Sequence, residues 1–194
     1  MGNLLTTNND ILDEELVDTY AELTYLSKNK ILQIARQLDN IDSGKLRKDR
    51  QHRFPVEQIE TVFPQIKCSP FRDSIYRVFS SEQDNHLSLE DILDLCSAFS
   101  ENSSDANRAA WAFCIFDFDG DNRISLDDLM EAVQRLTGNS QDEYVGIDMA
   151  EVEHVARMVL QEMVFSQLGA ITFEEFTRFL RRIPEFSSTF RFSI

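Results

Sequence analysis

Histidine, cysteine, glycine and proline are all scarce in this chain of 194 residues, and each shortage excludes something. The three histidines, His52, His86 and His154, have no nucleophile at motif spacing, and no Gly-rich phosphate loop occurs. A catalyst is therefore not expected. Three cysteines (Cys68, Cys96 and Cys114) are odd in number and scattered. They give neither a disulfide framework nor zinc-ligand spacing, and read as small core residues in a reducing compartment. Six glycines and four prolines leave little room for tight turns. Positive charge is also short: 19 Lys and Arg stand against 34 Asp and Glu, a net of −15. That surface repels phosphate backbones, so no nucleic-acid partner is expected, while divalent cations and basic segments are attracted. Neither a signal peptide nor an apolar run long enough to span a bilayer is present, which predicts a soluble, cytoplasmic protein.

What remains is a folding composition, 42% hydrophobic with fifteen Phe. Ser27 precedes Ile31, Leu32, Ile34, Ala35 and Leu38, an apolar stripe at helical spacing behind a good N-cap. Ser69-Pro70 precedes Phe71, Ile75, Val78 and Phe79, which predicts a helix with Pro at its first position. Further helices are predicted over 89–99, 106–116, 126–136, 149–164 and 173–183. Strand-type alternation is nearly missing, so the class is all-α.

The helices are joined in a repeating way. His86-Leu87-Ser88-Leu89-Glu90-Asp91, Arg123-Ile124-Ser125-Leu126-Asp127-Asp128 and Ala170-Ile171-Thr172-Phe173-Glu174-Glu175 share one pattern: an aliphatic, a hydroxyl residue, an apolar residue, then an acidic pair. Leu87, Ile124 and Ile171 lie 37 and 47 residues apart. This is the EF-hand helix–loop–helix repeat. Its aliphatic is eighth in a twelve-residue loop and bridges to the neighbouring loop, while the hydroxyl caps the outgoing helix. A degraded first hand with an expanded loop fits 39–56. The reading is four hands in two lobes: an N-terminal helical extension (1–26), an N-terminal lobe (27–100), a C-terminal lobe (101–183) and a tail (184–194).

EF-hand loops take oxygen ligands at positions 1, 3, 5, 7, 9 and 12. In the third loop Asp117, Asp119 and Asp121 supply the first three. The Arg123 carbonyl supplies position 7, Ser125 holds a water at 9, and Asp128 closes the loop. Carboxylates packed this closely repel each other without a cation. Asn122 replaces the usual Gly at position 6 and tolerates the left-handed conformation. Asp128 replaces the usual Glu and is one methylene shorter. That favours a six-ligand shell, and so Mg²⁺ at rest with Ca²⁺ entering when it rises. The fourth loop begins Val164-Phe165-Ser166-Gln167-Leu168-Gly169 and keeps only Glu175, so no metal is expected there. The second, 80–91, has Ser80 first and is also read as binding none.

The segments Tyr20-Ala21-Glu22-Leu23-Thr24-Tyr25-Leu26-Ser27, Ser69-Pro70-Phe71-Arg72-Asp73-Ser74-Ile75-Tyr76-Arg77-Val78-Phe79-Ser80, Ala112-Phe113-Cys114-Ile115-Phe116-Asp117-Phe118-Asp119 and the ending Pro184-Glu185-Phe186-Ser187-Ser188-Thr189-Phe190-Arg191-Phe192 together resemble the calcium- and integrin-binding protein family. The likeness covers nearly the whole chain, including the expanded first loop and Asp128. Members of that family bind metal in hands three and four, and this chain departs at the fourth. The resemblance implies an adaptor or auxiliary subunit holding an amphipathic helix from the cytoplasmic region of a membrane protein. In the family these are integrin α tails or transmembrane channel-like mechanotransduction channels. It also implies a C-terminal segment that lies over the groove and is displaced by the partner.

The residues support this separately. Trp111, Ile115, Ile124, Val133, Leu136, Val155, Val159, Met163, Phe173, Phe176 and Leu180 are apolar at helical spacing. As a set they exceed what two short hands bury, so some should line a groove. Phe186, Phe190 and Phe192 in the tail need cover and are expected to act as a lid. Met1-Gly2-Asn3-Leu4-Leu5-Thr6 fits the N-myristoylation pattern with Gly2 as acceptor. An acyl chain there, followed by acidic residues, would give only reversible membrane contact at the inner face of the plasma membrane. The competing reading is an EF-hand regulatory subunit of a kinase or phosphatase.

Overall fold

The structure is a computed structural model that describes residues 11–138, 147–164, 169–183, 186 and 190. Gly2 and Phe192 lie outside the described residues.

The first hand runs from α2 (Lys28–Ile41) to α4 (Val56–Val62), preceded by α1 (Glu14–Leu23) and interrupted by the short α3 (Lys45–Lys48) and β1 (Phe54–Pro55). Ser27 caps α2 as its position suggests, accepting a hydrogen bond from the Lys30 N–H. A single turn, α5 (Pro64–Lys67), leads to the second hand: α6 (Arg72–Phe79), β2 (His86–Leu87) and α7 (Leu89–Ala98). Here α6 starts two residues later than the sequence suggests. Pro70 and Phe71 form a turn instead, held by the Arg72 N–H donating to the Ser69 carbonyl at 3.2 Å. The third hand is α8 (Asp105–Phe116) and α9 (Leu126–Leu136); the fourth is α10 (Met149–Met163) and α11 (Phe173–Leu180).

The loops pair as an EF-hand fold requires. Phe54 sits opposite Leu87 in the antiparallel β1–β2 ribbon, so Phe54 is the bridge residue of the expanded first loop. Ile124 and Ile171 exchange N–H···O bonds of 2.9 and 2.8 Å. Outgoing helices α7, α9 and α11 each begin with a capping box, from Ser88–Asp91, Ser125–Asp128 and Thr172–Glu175. One acidic residue thus both closes its loop and starts the next helix.

The apolar interior is divided unequally. The larger cluster spans α1 to α7 and reaches Ile115 of α8, with Ile31, Ile34, Leu38, Phe54, Leu87 and Leu95 fully buried. From Ile11 onward the N-terminal segment belongs to it, since Ile11, Leu12, Val17, Tyr20 and Leu26 are buried. Tyr20 also hydrogen-bonds Glu90. The smaller cluster, around Ala112, Phe113, Ile124, Met163, Ile171 and Phe176, is fringed by half-buried apolar side chains. Between the halves, the buried Arg108 guanidinium donates to the carbonyls of Ser100 and Glu101 at 2.8 and 2.9 Å, fixing the turn that leads into α8. Of the cysteines only Cys96 is a core residue; Cys68 and Cys114 are exposed, which corrects the expectation for those two. Cys114 follows Phe113 in α8 but faces outward, and Cys68, between Lys67 and Ser69, lies at the exposed end of α5.

Candidate metal centre and apolar cavity

The third loop is built around Asp117. Its Oδ1 accepts from the N–H groups of Gly120 (2.8 Å) and Asp121 (3.1 Å), and its Oδ2 from that of Asn122 (2.9 Å). This wraps the chain tightly and needs left-handed residues: Gly120 has φ 75° and Asn122 has φ 65°. Asp128 approaches from the start of α9. Its Oδ1 accepts from Phe118 N–H at 2.9 Å, and its Oδ2 accepts from the N–H and hydroxyl of Ser125 at 2.8 and 2.6 Å.

Carboxylate oxygens of Asp117, Asp119 and Asp128 come within 4.8 Å of one another. Asp117 and Asp128 are buried, 5% and 4% exposed. Burial pushes the Asp117 carboxyl above its ordinary range and the nearby Asp128 carboxylate adds to this, while the backbone N–H groups pull the other way. Among the described residues no Lys or Arg side chain reaches these carboxylates. Arg77 donates instead to the main-chain carbonyl of Asp117 at 2.7 Å. A converging set of hard oxygen donors with unbalanced negative charge suits a divalent cation. Asp121 stands apart from the cluster, exposed, with Oδ1 accepting from Arg123 N–H at 2.8 Å. The Ser125 hydroxyl is engaged by Asp128.

The fourth loop keeps the frame: Gly169 has φ 70°, and Glu175 caps α11 through Thr172. Its first position, Val164, offers no ligand atom, and 165–168 lie outside the described residues.

Beside the third loop lies an apolar cavity of about 760 Å³. Eight of the eleven groove residues read from sequence line it: Ile115, Ile124, Val133, Leu136, Val159, Met163, Phe176 and Leu180. The other three do not. Trp111 turns toward the first half, its ring 4.4 Å from that of Phe79. Val155 is 40% exposed, and Phe173, 46% exposed, meets Phe113 edge-on at 5.4 Å. Helical spacing marks one face of a helix, and these three fall just off the face that the cavity uses. The rest of the lining comes from the first half, from Ile66, Ser69, Phe71, Ile75 and Phe99 among others. The i, i+4 pair Phe71 and Ile75 signalled an apolar face, but only the docking of α6 on α8 shows which half it serves. In the tail, Phe186 and Phe190 line the same cavity, and Phe190 stacks on Phe99 at 4.7 Å.

Paired helix–loop–helix units bridged through their loops, with an oxygen-rich third loop, define an EF-hand protein. In agreement, the family of EF-hand domain pairs matches residues 106–181. Calcium and integrin-binding family member 3 of Homo sapiens is 30% identical over 198 residues, the whole of both chains. The Mus musculus member 3 is 37% identical over 142 residues, 73% of this chain and 84% of its own. Family member 2 of Drosophila melanogaster is 29% identical over the full length of both chains. The chain therefore belongs to the calcium and integrin-binding family.

Proposed function

We propose that this protein is a non-enzymatic adaptor or auxiliary subunit. It holds one divalent cation, Mg²⁺ or Ca²⁺, in its third loop and seats an amphipathic helix from the cytoplasmic region of a membrane protein in its apolar cavity. Asp117, Asp119 and Asp128 are the carboxylate ligands, with Asp121, the Arg123 carbonyl and a water on Ser125 completing the shell. The observation that carries the reading is the cavity itself. It is lined by both halves of the chain and entered by Phe186 and Phe190, and its wall includes Ile124 of the metal loop and Leu129, Ala132 and Val133 of the helix that the loop starts. An ion that sets the angle between α8 and α9 therefore sets the shape of the groove.

A helix presenting apolar residues at i, i+3, i+4 and i+7 matches such a groove. The relatives are named for binding calcium and integrins, which makes an integrin α-subunit tail the first probe; the sequence resemblance adds a transmembrane channel-like cytoplasmic segment as the second. No helix among the described residues is long and apolar enough to cross a membrane, so contact with the inner face would come through the partner and through acylation at Gly2.

The test is titration of the full chain with an integrin α-tail peptide, in Mg²⁺, in Ca²⁺ and in chelator. Binding that weakens in chelator, and strengthens when 186–194 are deleted, supports the reading. Binding that ignores both the ion and the tail refutes it.

A further inference from the structure

The second loop, 80–91, has Ser80 where a metal-binding loop has Asp, yet it keeps the shape of the third. Gln83 (φ 53°) and Asn85 (φ 60°) are left-handed at its fourth and sixth positions, as Gly120 and Asn122 are in the third loop. A side chain from outside the loop fills its centre. Arg53, the residue before the bridge residue Phe54, points its guanidinium inward and is 16% exposed. Nη2 donates to Ser80 Oγ (3.2 Å), Asp84 Oδ1 (2.9 Å) and the His86 carbonyl (2.7 Å). Nη1 donates to Ser81 Oγ (3.0 Å) and Asp91 Oδ2 (3.3 Å), with Glu82 Oε1 at 3.8 Å. Nε reaches Asp84 Oδ2 at 3.3 Å.

Ser80, Glu82, Asp84, the His86 carbonyl and Asp91 are positions 1, 3, 5, 7 and 12, the positions from which such loops draw their ligands. We propose that Arg53 is the built-in cation of the second loop, its guanidinium standing where a divalent ion would sit and keeping one out. The chemistry is consistent. A guanidinium offers five N–H donors in a fixed plane and is always charged, so it can satisfy several oxygens at once without an ion from solution. It brings one positive charge where a metal brings two, and Ser80 in place of a carboxylate lowers the negative charge to be balanced.

The expanded first loop is what delivers it. The register that pairs Phe54 with Leu87 sets Arg53 at the mouth of the second loop. The extra turn before it is anchored through Asp39, which accepts from the backbone N–H (3.2 Å) and Nε (2.8 Å) of Arg47. The N-terminal half is thereby held in one form whatever the free ion concentration.

The experiment compares Ca²⁺ titrations by calorimetry on full-length chains that all carry Asp119→Ala, so that the third loop adds no heat. Ser80→Asp restores the missing carboxylate, and Ser80→Asp with Arg53→Gln also removes the internal charge at nearly unchanged size. The combined variant is expected to bind one Ca²⁺ at least about tenfold tighter than Ser80→Asp alone. In chelator, Arg53→Gln alone should lower the thermal midpoint. Equal Ca²⁺ affinity with and without Arg53 overturns the proposal, as does a combined variant that binds none. An unchanged midpoint for Arg53→Gln in chelator overturns it too.

Discussion

Arg135 of α9 grips Asp73 of α6 with both Nη atoms, the longer bond being 2.9 Å, and lays its guanidinium 4.5 Å from the centre of the Phe118 ring. One side chain thus ties the second hand to the third loop. Burial opposes the charge on Asp73, but the Arg135 hydrogen bonds, the Arg135 charge and the backbone N–H groups of Ser74 and Asp73 together outweigh it and hold the carboxyl below its usual range. Since Asp73 is largely exposed, a double-mutant cycle with Arg135→Ala and Asp73→Asn should give a coupling of about 1 kcal/mol by chemical denaturation. Arg135→Lys should recover little of it, because the fork and the ring contact both need the planar group.

In the proposed site, Asp128 is the residue expected to set the ion preference of the third loop. Replacing it with Glu adds the methylene needed for bidentate closure, so Ca²⁺ affinity should rise relative to Mg²⁺ by roughly tenfold. Competition calorimetry with both ions measures this directly. Asp128→Ala should abolish binding, and should also lower stability, since Asp128 holds Phe118 and Ser125 as well.

Ile171 is fully buried and bonded to Ile124 on both sides of the bridge. Ile171→Ala should cost about 2–4 kcal/mol of stability, as large-to-small changes in a closed core do. It should also weaken ion binding in the third loop, although Ile171 offers no ligand. Denaturant midpoints and calorimetry on one sample separate the two effects.

Phe190 stacks between Phe99 and Phe186, at 4.7 and 5.5 Å. Phe190→Ala should open the cavity mouth, increasing both the fluorescence of an apolar dye and the affinity for an amphipathic peptide. If dye binding and peptide affinity both stay at wild-type values, Phe190 does not act as a lid.

Acid should act on the second loop through Asp84. The Arg53 hydrogen bonds hold its carboxyl down, from 3.8 to about 2. A lowered carboxylate stabilises the fold at pH above its unfolded value, and that contribution disappears as pH falls through the folded value. The gap in thermal midpoint between wild type and Arg53→Gln should therefore be flat from pH 7 to about 5 and close between about pH 4 and pH 2.

Much of this was legible because EF-hand loops carry their chemistry locally. Asp117, Asp119, Ile124, Ser125 and Asp128 fall within twelve residues of chain, and the carboxylates of Asp117, Asp119 and Asp128 converge as that spacing suggests. The capping boxes at Ser88, Ser125 and Thr172 follow the same logic. Relations between distant segments were not legible. Trp111 has the spacing of a groove residue, but Phe79 captures it from another hand. Arg53 ends a basic stretch, and nothing in its own segment points to the second loop; the Phe54–Leu87 register is what turns it there. Asp121 has the right spacing for a ligand, and its departure from the carboxylate cluster follows from a local turn to Arg123 N–H.

The bridge between Ile124 and Ile171 joins a loop rich in oxygen to one that begins with Val164. On the proposed single-site reading, an ion seated at Asp117, Asp119 and Asp128 recruits no second ion across the bridge. Occupancy then follows a simple hyperbola, and moving from one-tenth to nine-tenths full takes about an 81-fold change in free ion. Such a molecule grades its response over a wide span of free ion instead of switching sharply.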